Sequence, residues 1–294
     1  MQCKDVIRRL DAFRTGELPP DHAQKIACHL SICRECTAGL QQIRAIAQRA
    51  VQMRARAPKA LLEQVLAATG DRYGAVDTAA GRAWVGFDRR GITMIDLGKP
   101  EARAFEHAYR DRIGRTVRPG SLPADYAFMV RQAAAGKQAR TAPIDLSGLR
   151  EFEQQVLRLL RAIPRGEVRP YSWLARQVGR PKAARAVGNI MARNPIPLIL
   201  PCHRVVPSSG GVGRYAFGAP LKRELLRREG VPVDALDRLA RSGIRYVASR
   251  TTRIYCFPSC RDARRVKTSN QLCFHSAAEA ATSGLRPCRH CRPG

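Results

Sequence analysis

The placement of the cysteines constrains this chain more than any other feature. Cys256-x-x-x-Cys260 and Cys288-x-x-Cys291 put four thiols in two close pairs, about thirty residues apart, near the C-terminus. Near the N-terminus, His29-x-x-x-Cys33-x-x-Cys36 sets an imidazole and two thiols three and four residues apart, where side chains share one helix face, and Cys3 can join them. Thiols grouped in this way pair as disulfides or hold a metal, and the compartment decides. The first residues, Met1 to Arg9, contain no apolar signal core, and no stretch approaches the roughly 18 apolar residues of a membrane span. A soluble, cytoplasmic protein with reduced thiols is expected. Cys256, Cys260, Cys288 and Cys291 are then expected to form a tetrahedral Zn(II) centre, with Cys3, His29, Cys33 and Cys36 as a second candidate zinc site. Cys28 points away from the second frame, and Cys273, off the ligand pattern, reads as a small buried residue.

Charge bounds the partner. Lys and Arg number 52 against 24 Asp and Glu, a formal net charge of +28. Such an excess attracts a polyanion, and phosphate contacts with release of counterions supply affinity that does not depend on sequence. The charge supports DNA binding, and a nucleoid-associated place in the cytoplasm is expected.

A reactive thiol stands in the middle of the chain. Pro201-Cys202-His203-Arg204-Val205-Val206 follows the proline-rich run Asn194-Pro-Ile-Pro197-Leu-Ile-Leu200. Cysteine attacks carbon as its thiolate, and an adjacent imidazole that can take the proton raises the thiolate fraction near neutral pH. Upstream, Tyr171 to Met191 reads as two short helices around the turn Val178-Gly179-Arg180-Pro181, a helix-turn-helix pattern.

From Pro170 to Gly230 the sequence resembles the active-site domain of the O6-alkylguanine-DNA alkyltransferases. Tyr171-Ser172, Pro181-Lys-Ala-Ala-Arg185-Ala-Val-Gly188, Asn194 to Pro197, the Cys202 segment, Gly213-Arg-Tyr215 and Leu225-Leu-Arg-Arg-Glu229-Gly230 carry the likeness. The resemblance implies that Cys202 is the nucleophile and alkyl acceptor, that His203 draws its proton through a water, and that Glu229 orients the imidazole. It implies that Tyr171 donates a hydrogen bond to the departing guanine and that Asn194 braces the turn presenting Cys202. Arg185 would fill the gap left by a flipped-out nucleotide, with the small Ala183 and Ala184 letting its helix lie close to the minor groove. The base would enter a pocket lined by Met191, Pro197, Val205, Tyr215, Ala216 and Phe217. Many relatives have glycine at the position of Phe217, so a tighter pocket that favours methyl over benzyl is expected.

Two further resemblances lie at the ends. Thr251-Thr252-Arg253-Ile-Tyr-Cys256-Phe-Pro-Ser-Cys260 and Gly284-Leu-Arg286-Pro-Cys288-Arg-His-Cys291 resemble the zinc-binding repair domain of the Ada family. That likeness implies that Cys256 accepts a methyl group from a DNA phosphotriester and that Thr252 and Arg286 meet the phosphate backbone. The chain departs from this family at Arg253, where glycine is usual, and at Phe257, where arginine is usual. The N-terminal frame, from Cys3 through Leu10-Asp-Ala-Phe13 to Cys36, resembles the zinc-finger anti-sigma domains, which implies a sigma factor as partner.

A multidomain α+β protein is therefore expected. A helical zinc module would occupy 1–50 and a linker 51–75. A small α+β domain would follow over 76–145, with strands at Arg82 to Phe87 and Gly91 to Leu97 joined by an Asp88-Arg-Arg-Gly91 turn. A helical, winged helix-turn-helix-like alkyltransferase domain would span 146–232, and a small zinc domain with four cysteine ligands 233–294. The expected function is DNA repair, with irreversible transfer of the methyl group of O6-methylguanine in double-stranded DNA to Cys202, and phosphotriester repair through Cys256 beside it. The alternative is a regulatory damage sensor that holds a sigma factor through its N-terminal module.

Overall fold

The computed structural model describes residues 2–52, 70–137, 139 and 141–294. The chain divides into two compact units, Met1–Leu66 and Ala67–Gly294.

The first unit consists of helices α1 (Cys3–Ile7), α2 (Leu10–Thr15), α3 (Pro20–Leu30) and α4 (Arg34–Gln52). Pro20 opens α3, where its missing N–H costs nothing, and Asp21 in the first turn complements the helix dipole. Val6, Leu10, Ile26, Cys36 and Leu40 form the core. So few apolar side chains hold a fold only with help, and a metal is a common staple for such a module.

The second unit begins with strand β1 (Asp71–Thr78), ahead of the expected start near Val76. The expected linker otherwise falls on the end of α4 and on residues outside those described. β1 pairs antiparallel with β2 (Gly81–Phe87), and β2 with β3 (Ile92–Asp96). β4 (Val117–Pro119) adds in parallel at the far edge of β1, so the sheet order is β3-β2-β1-β4. The Asp88 carboxylate accepts from the N–H groups of Arg90 and Gly91 and closes the predicted turn. Strand alternation then separates the two faces. Tyr73, Trp84 and Met94 pack with Phe105 and Tyr109 of α5 (Ala102–Ile113). Ala83, Val85 and Ile95 turn to the main core, with Val130 and Ala134 of α6 (Ala124–Ala134).

That core continues into α7 (Glu151–Leu159), α8 (Tyr171–Gln177) and α9 (Ala184–Ala192). A short parallel pair, β5 (Arg169–Pro170) with β6 (Val205–Val206), ties the entry of α8 to the segment after Cys202. Helices α10 (Ala219–Arg228) and α11 (Val233–Arg241) follow. Val233 and Leu236 of α11 pack with Val168, Val206 and Leu226. The last part is a four-stranded sheet, in the order β10-β8-β7-β9, of β7 (Tyr246–Ser249), β8 (Ile254–Cys256), β9 (Gln271–Phe274) and β10 (Arg286–Pro287), with α12 (Ala277–Thr282). Cys273 is exposed, contrary to expectation, because Leu272 and Phe274 on β9 face the core and the residue between them points out.

Candidate active site and metal centres

Cys202 opens a 3-10 turn, Cys202–Arg204, at the end of the proline-rich loop. Asn194 organises that loop. Its Nδ2 donates to the Leu200 carbonyl at 2.9 Å and reaches Cys202 Sγ at 3.1 Å, and its Oδ1 accepts from the Ile196 N–H at 3.1 Å. The amide of Asn194 thus both braces the turn and donates to the sulfur. Burial pushes the Cys202 thiol up, while the Asn194 amide and the Lys222 charge act against that rise.

His203 and Glu229 are buried and meet at 2.8 Å, Nε2 to Oε1. Arg204, which sequence reasoning did not single out, closes on the same carboxylate, from Nε to Oε2 at 2.8 Å and from Nη2 to Oε1 at 2.9 Å, and gives Nη1 to the Ile163 carbonyl at 2.7 Å. Burial alone would raise the Glu229 carboxyl, but His203 and Arg204 overcome it and hold it at about 2. Burial lowers His203 in spite of Glu229. The imidazole is therefore neutral near pH 7, and the carboxylate assigns the proton to Nε2. Nδ1 is left with its lone pair and, among the described residues, with no hydrogen-bond partner.

A cavity of about 270 Å³ opens onto Cys202. Of the residues expected around it, Tyr171, Met191, Tyr215 and Ala216 line it, and Gly188, Ala192 and Arg214 do so as well. Pro197, Val205 and Phe217 do not. Val205 is buried in β6 against Arg169. Phe217 turns edge-on to the Tyr215 ring, centroids 5.6 Å apart, and lines a separate cleft with Asp96 and Arg193. The tighter pocket inferred from Phe217 therefore has no basis in this geometry. Lys222, also missed, is buried, with Nζ on the Val205 and Arg214 carbonyls at 2.6 and 3.1 Å, and burial lowers it to about 8 against the pull of Cys202. In the sequence it is one basic residue on a basic helix, with nothing to mark it as internal. Tyr171, at the start of α8, is raised by burial and then by the nearby Cys202. Arg185 stands exposed in the first turn of α9, after Ala183 and Ala184.

Cys256, Cys260, Cys288 and Cys291 are all buried, with their sulfurs within 4.8 Å of one another. Hydrogen bonding among the crowded thiols pushes Cys256 up and Cys260 down, since they cannot all ionise without a cation. A cleft of about 730 Å³ lies against Cys256 and Cys288 and carries Thr252, Arg265, Lys267, Arg286 and Arg289. Both departures from the Ada pattern have a local account. Arg253 adopts the left-handed conformation (φ 57) that glycine takes easily, held by its Nη2 on the Ser283 carbonyl at 2.6 Å. Phe257 is buried between the Tyr246 ring and the Arg169 guanidinium.

In the first unit Cys3, His29, Cys33 and Cys36 converge within the same 4.8 Å limit, with Cys3 Sγ 3.6 Å from His29 Nε2 and 3.7 Å from Cys33 Sγ. The Cys36 backbone N–H lowers Cys33 to about 7. Ligands about 2.3 Å from a tetrahedral ion stand about 3.8 Å apart, so this spacing and the soft donor set fit zinc. Cys28 is exposed, outside the set.

Three family models match these parts in turn. The 6-O-methylguanine DNA methyltransferase DNA-binding domain covers residues 151–231, the metal-binding domain of Ada covers 236–294, and a zinc-finger family covers 3–37. The Shigella flexneri methylated-DNA–protein-cysteine methyltransferase is 36% identical over 149 residues, 50% of this chain and 80% of that protein. The Escherichia coli bifunctional transcriptional activator/DNA repair enzyme Ada is 38% identical over 164 residues, 54% of this chain and 45% of that protein. The human methylated-DNA–protein-cysteine methyltransferase is 54% identical over 80 residues, 27% of this chain and 39% of that protein. Among solved structures, Mycobacterium tuberculosis OGT in complex with DNA aligns with a TM-score of 0.45 at 30% identity, covering 57% of this chain and 98% of that one. The chain belongs to the methylated-DNA–protein-cysteine methyltransferase family. It spans less than half the length of the E. coli and human relatives. Both cysteine clusters are zinc sites, by donor set, convergence and family match. Among the described residues, no helix is long and apolar enough to cross a membrane.

Proposed function

We propose that the protein repairs O6-methylguanine in double-stranded DNA by taking the methyl group onto Cys202. The observation that carries this reading is that Cys202 and Tyr171 line one cavity, with Asn194 donating to the Cys202 sulfur and the buried His203–Glu229 pair adjoining it in sequence and space. A base inside the duplex hides its O6, so the nucleotide rotates out at a cost of a few kcal/mol, and Arg185 at the start of α9 fills its place. The Cys202 proton passes through a water to His203 Nδ1, and Glu229 steadies the imidazolium. The thiolate attacks the methyl carbon, the S–C bond forms as the C–O6 bond breaks, and the electron pair moves into the purine. Tyr171 donates to the base as that charge develops, and the proton the base regains balances the one His203 received. A thioether is a poor leaving group, so each molecule acts once. Titration of the protein with an O6-methylguanine duplex should remove one lesion per chain and then stop. Continued turnover, or no removal, would defeat the proposal.

A second transfer rests on the basic cleft beside Cys256. Bound zinc keeps the four thiols ionised near neutral pH. Thr252 and Arg286 are positioned to take the phosphate backbone of a methylphosphotriester, and Cys256 Sγ accepts its methyl group. Peptide mass spectrometry after incubation with a methylphosphotriester duplex should place that methyl on Cys256. An unmodified Cys256 in the zinc-loaded protein would remove this second transfer. The reading puts the protein in the cytoplasm, on nucleoid DNA. The N-terminal family match supplies a zinc finger and no partner, so the sigma-factor alternative has no observation of its own. Pull-down of a sigma factor by the full chain, changed by methylation at Cys202, would restore it.

A further inference from the structure

The C-terminal cluster is built into the scaffold of the Cys202 site. Trp173, on the helix that begins with Tyr171, donates its indole N–H to the Cys291 carbonyl at 2.9 Å. Arg176 on that helix reaches the Pro293 carbonyl at 3.3 Å, and Arg292 reaches Gln177 at 3.4 Å. The two residues before β5 are held as well. Ser259, in the loop between Cys256 and Cys260, bonds both the N–H and the carbonyl of Val168 at 2.9 and 3.1 Å, and the Arg261 N–H donates to Glu167 at 3.0 Å.

Between these two clamps lies Arg169, 2% exposed. It pairs with Glu167, donates to the Val168 carbonyl, and sits 5.8 Å from the Trp173 ring and 5.6 Å from the Phe257 ring. Its backbone pairs with Val205, three residues after Cys202. A buried ion pair costs desolvation, and this one lies where the metal loop meets the two elements presenting Tyr171 and Cys202.

We infer that Arg169 and Trp173 are positioning residues through which the zinc-loaded cysteine cluster holds Tyr171 in register with Cys202. The inference rests on the alkyl-transfer reading of Cys202. It makes the C-terminal module part of the O6-methylguanine site as well as the seat of the second transfer. Zinc at Cys256, Cys260, Cys288 and Cys291 fixes the 257–261 loop and the 291–293 segment. Those segments fix the start of α8, and Tyr171 follows.

The test uses the full chain, zinc-loaded and chelator-stripped under reducing conditions, with single-turnover methylation of Cys202 resolved into DNA affinity and the rate at saturating DNA. Tryptophan emission is followed in parallel; the chain holds 2 tryptophans, Trp84 and Trp173, both outside the N-terminal unit. Stripping should shift the emission and slow the saturated rate by roughly tenfold, as expected of a misplaced reacting group, and zinc should restore both. Trp173→Phe keeps an aromatic ring but removes the N–H together with part of the indole's bulk. When loaded, it should be slowed with DNA affinity unchanged, and it should lose less on stripping than the wild type does. Arg169→Lys should recover more of the rate than Arg169→Met.

A stripped wild-type protein that methylates Cys202 at the loaded rate would overturn the inference. If stripping unfolds the second unit, the loaded Trp173→Phe protein decides, and a wild-type saturated rate there overturns it. Failure of the loaded wild type to methylate Cys202 at all would instead remove the alkyl-transfer reading itself.

Discussion

Asn194 does more than its place in a turn suggests, because one amide group holds the loop and donates to Cys202 Sγ. Asn194→Ala should slow alkyl transfer by roughly a hundredfold, the usual loss for one preorganised donor, measured as the single-turnover rate. Glu229 sets a pH limit on stability. Its carboxyl stands at about 2 in the folded protein against an ordinary 4.5. The stabilisation is complete above pH 4.5 and is lost as the pH falls toward 2, because the unfolded chain takes up the proton first. Denaturant melts across that window should show a loss on the order of 3 kcal/mol that Glu229→Gln no longer shows. The sequence motifs named Cys202, His203, Asn194, Tyr171 and Glu229, and the fold brings them together. They did not name Lys222 or Arg204, whose importance comes from burial against carbonyls and a carboxylate distant in sequence. They misread Phe217 and Cys273, where only side-chain direction decides.

At the scale of elements, the loop that carries Tyr215 depends on Gly213. Its φ is +71, and a Cβ there would lie 2.5 Å from Pro207 Cδ. Gly213→Ala should destabilise the protein by about 2 kcal/mol or more, read as a lowered melting temperature, and should slow transfer by displacing Tyr215. The strand pair joined at Asp88 and the two helices around Gly179 were legible because turn residues and periodicity agree there. The start of β1 at Asp71 was not. Arg72 and Asp77 are exposed on opposite faces of β1 and interrupt its apolar alternation.

At the scale of the molecule, the two zinc sites should give two zinc ions per chain by metal analysis. Cys36→Ala and Cys288→Ala should each lose one. Only the second should disturb Cys202, since the C-terminal cluster shares its core and the N-terminal cluster lies in another compact unit. Zinc contents that fall together would contradict this independence. The net charge of +28 predicts DNA affinity that falls steeply with salt. The most direct test of the central claim is peptide mass spectrometry of the full chain after incubation with an O6-methylguanine duplex. The account predicts one methyl group on the Cys202 peptide, absent in Cys202→Ala. An unmodified Cys202 in a folded, zinc-loaded protein bound to that duplex would contradict it.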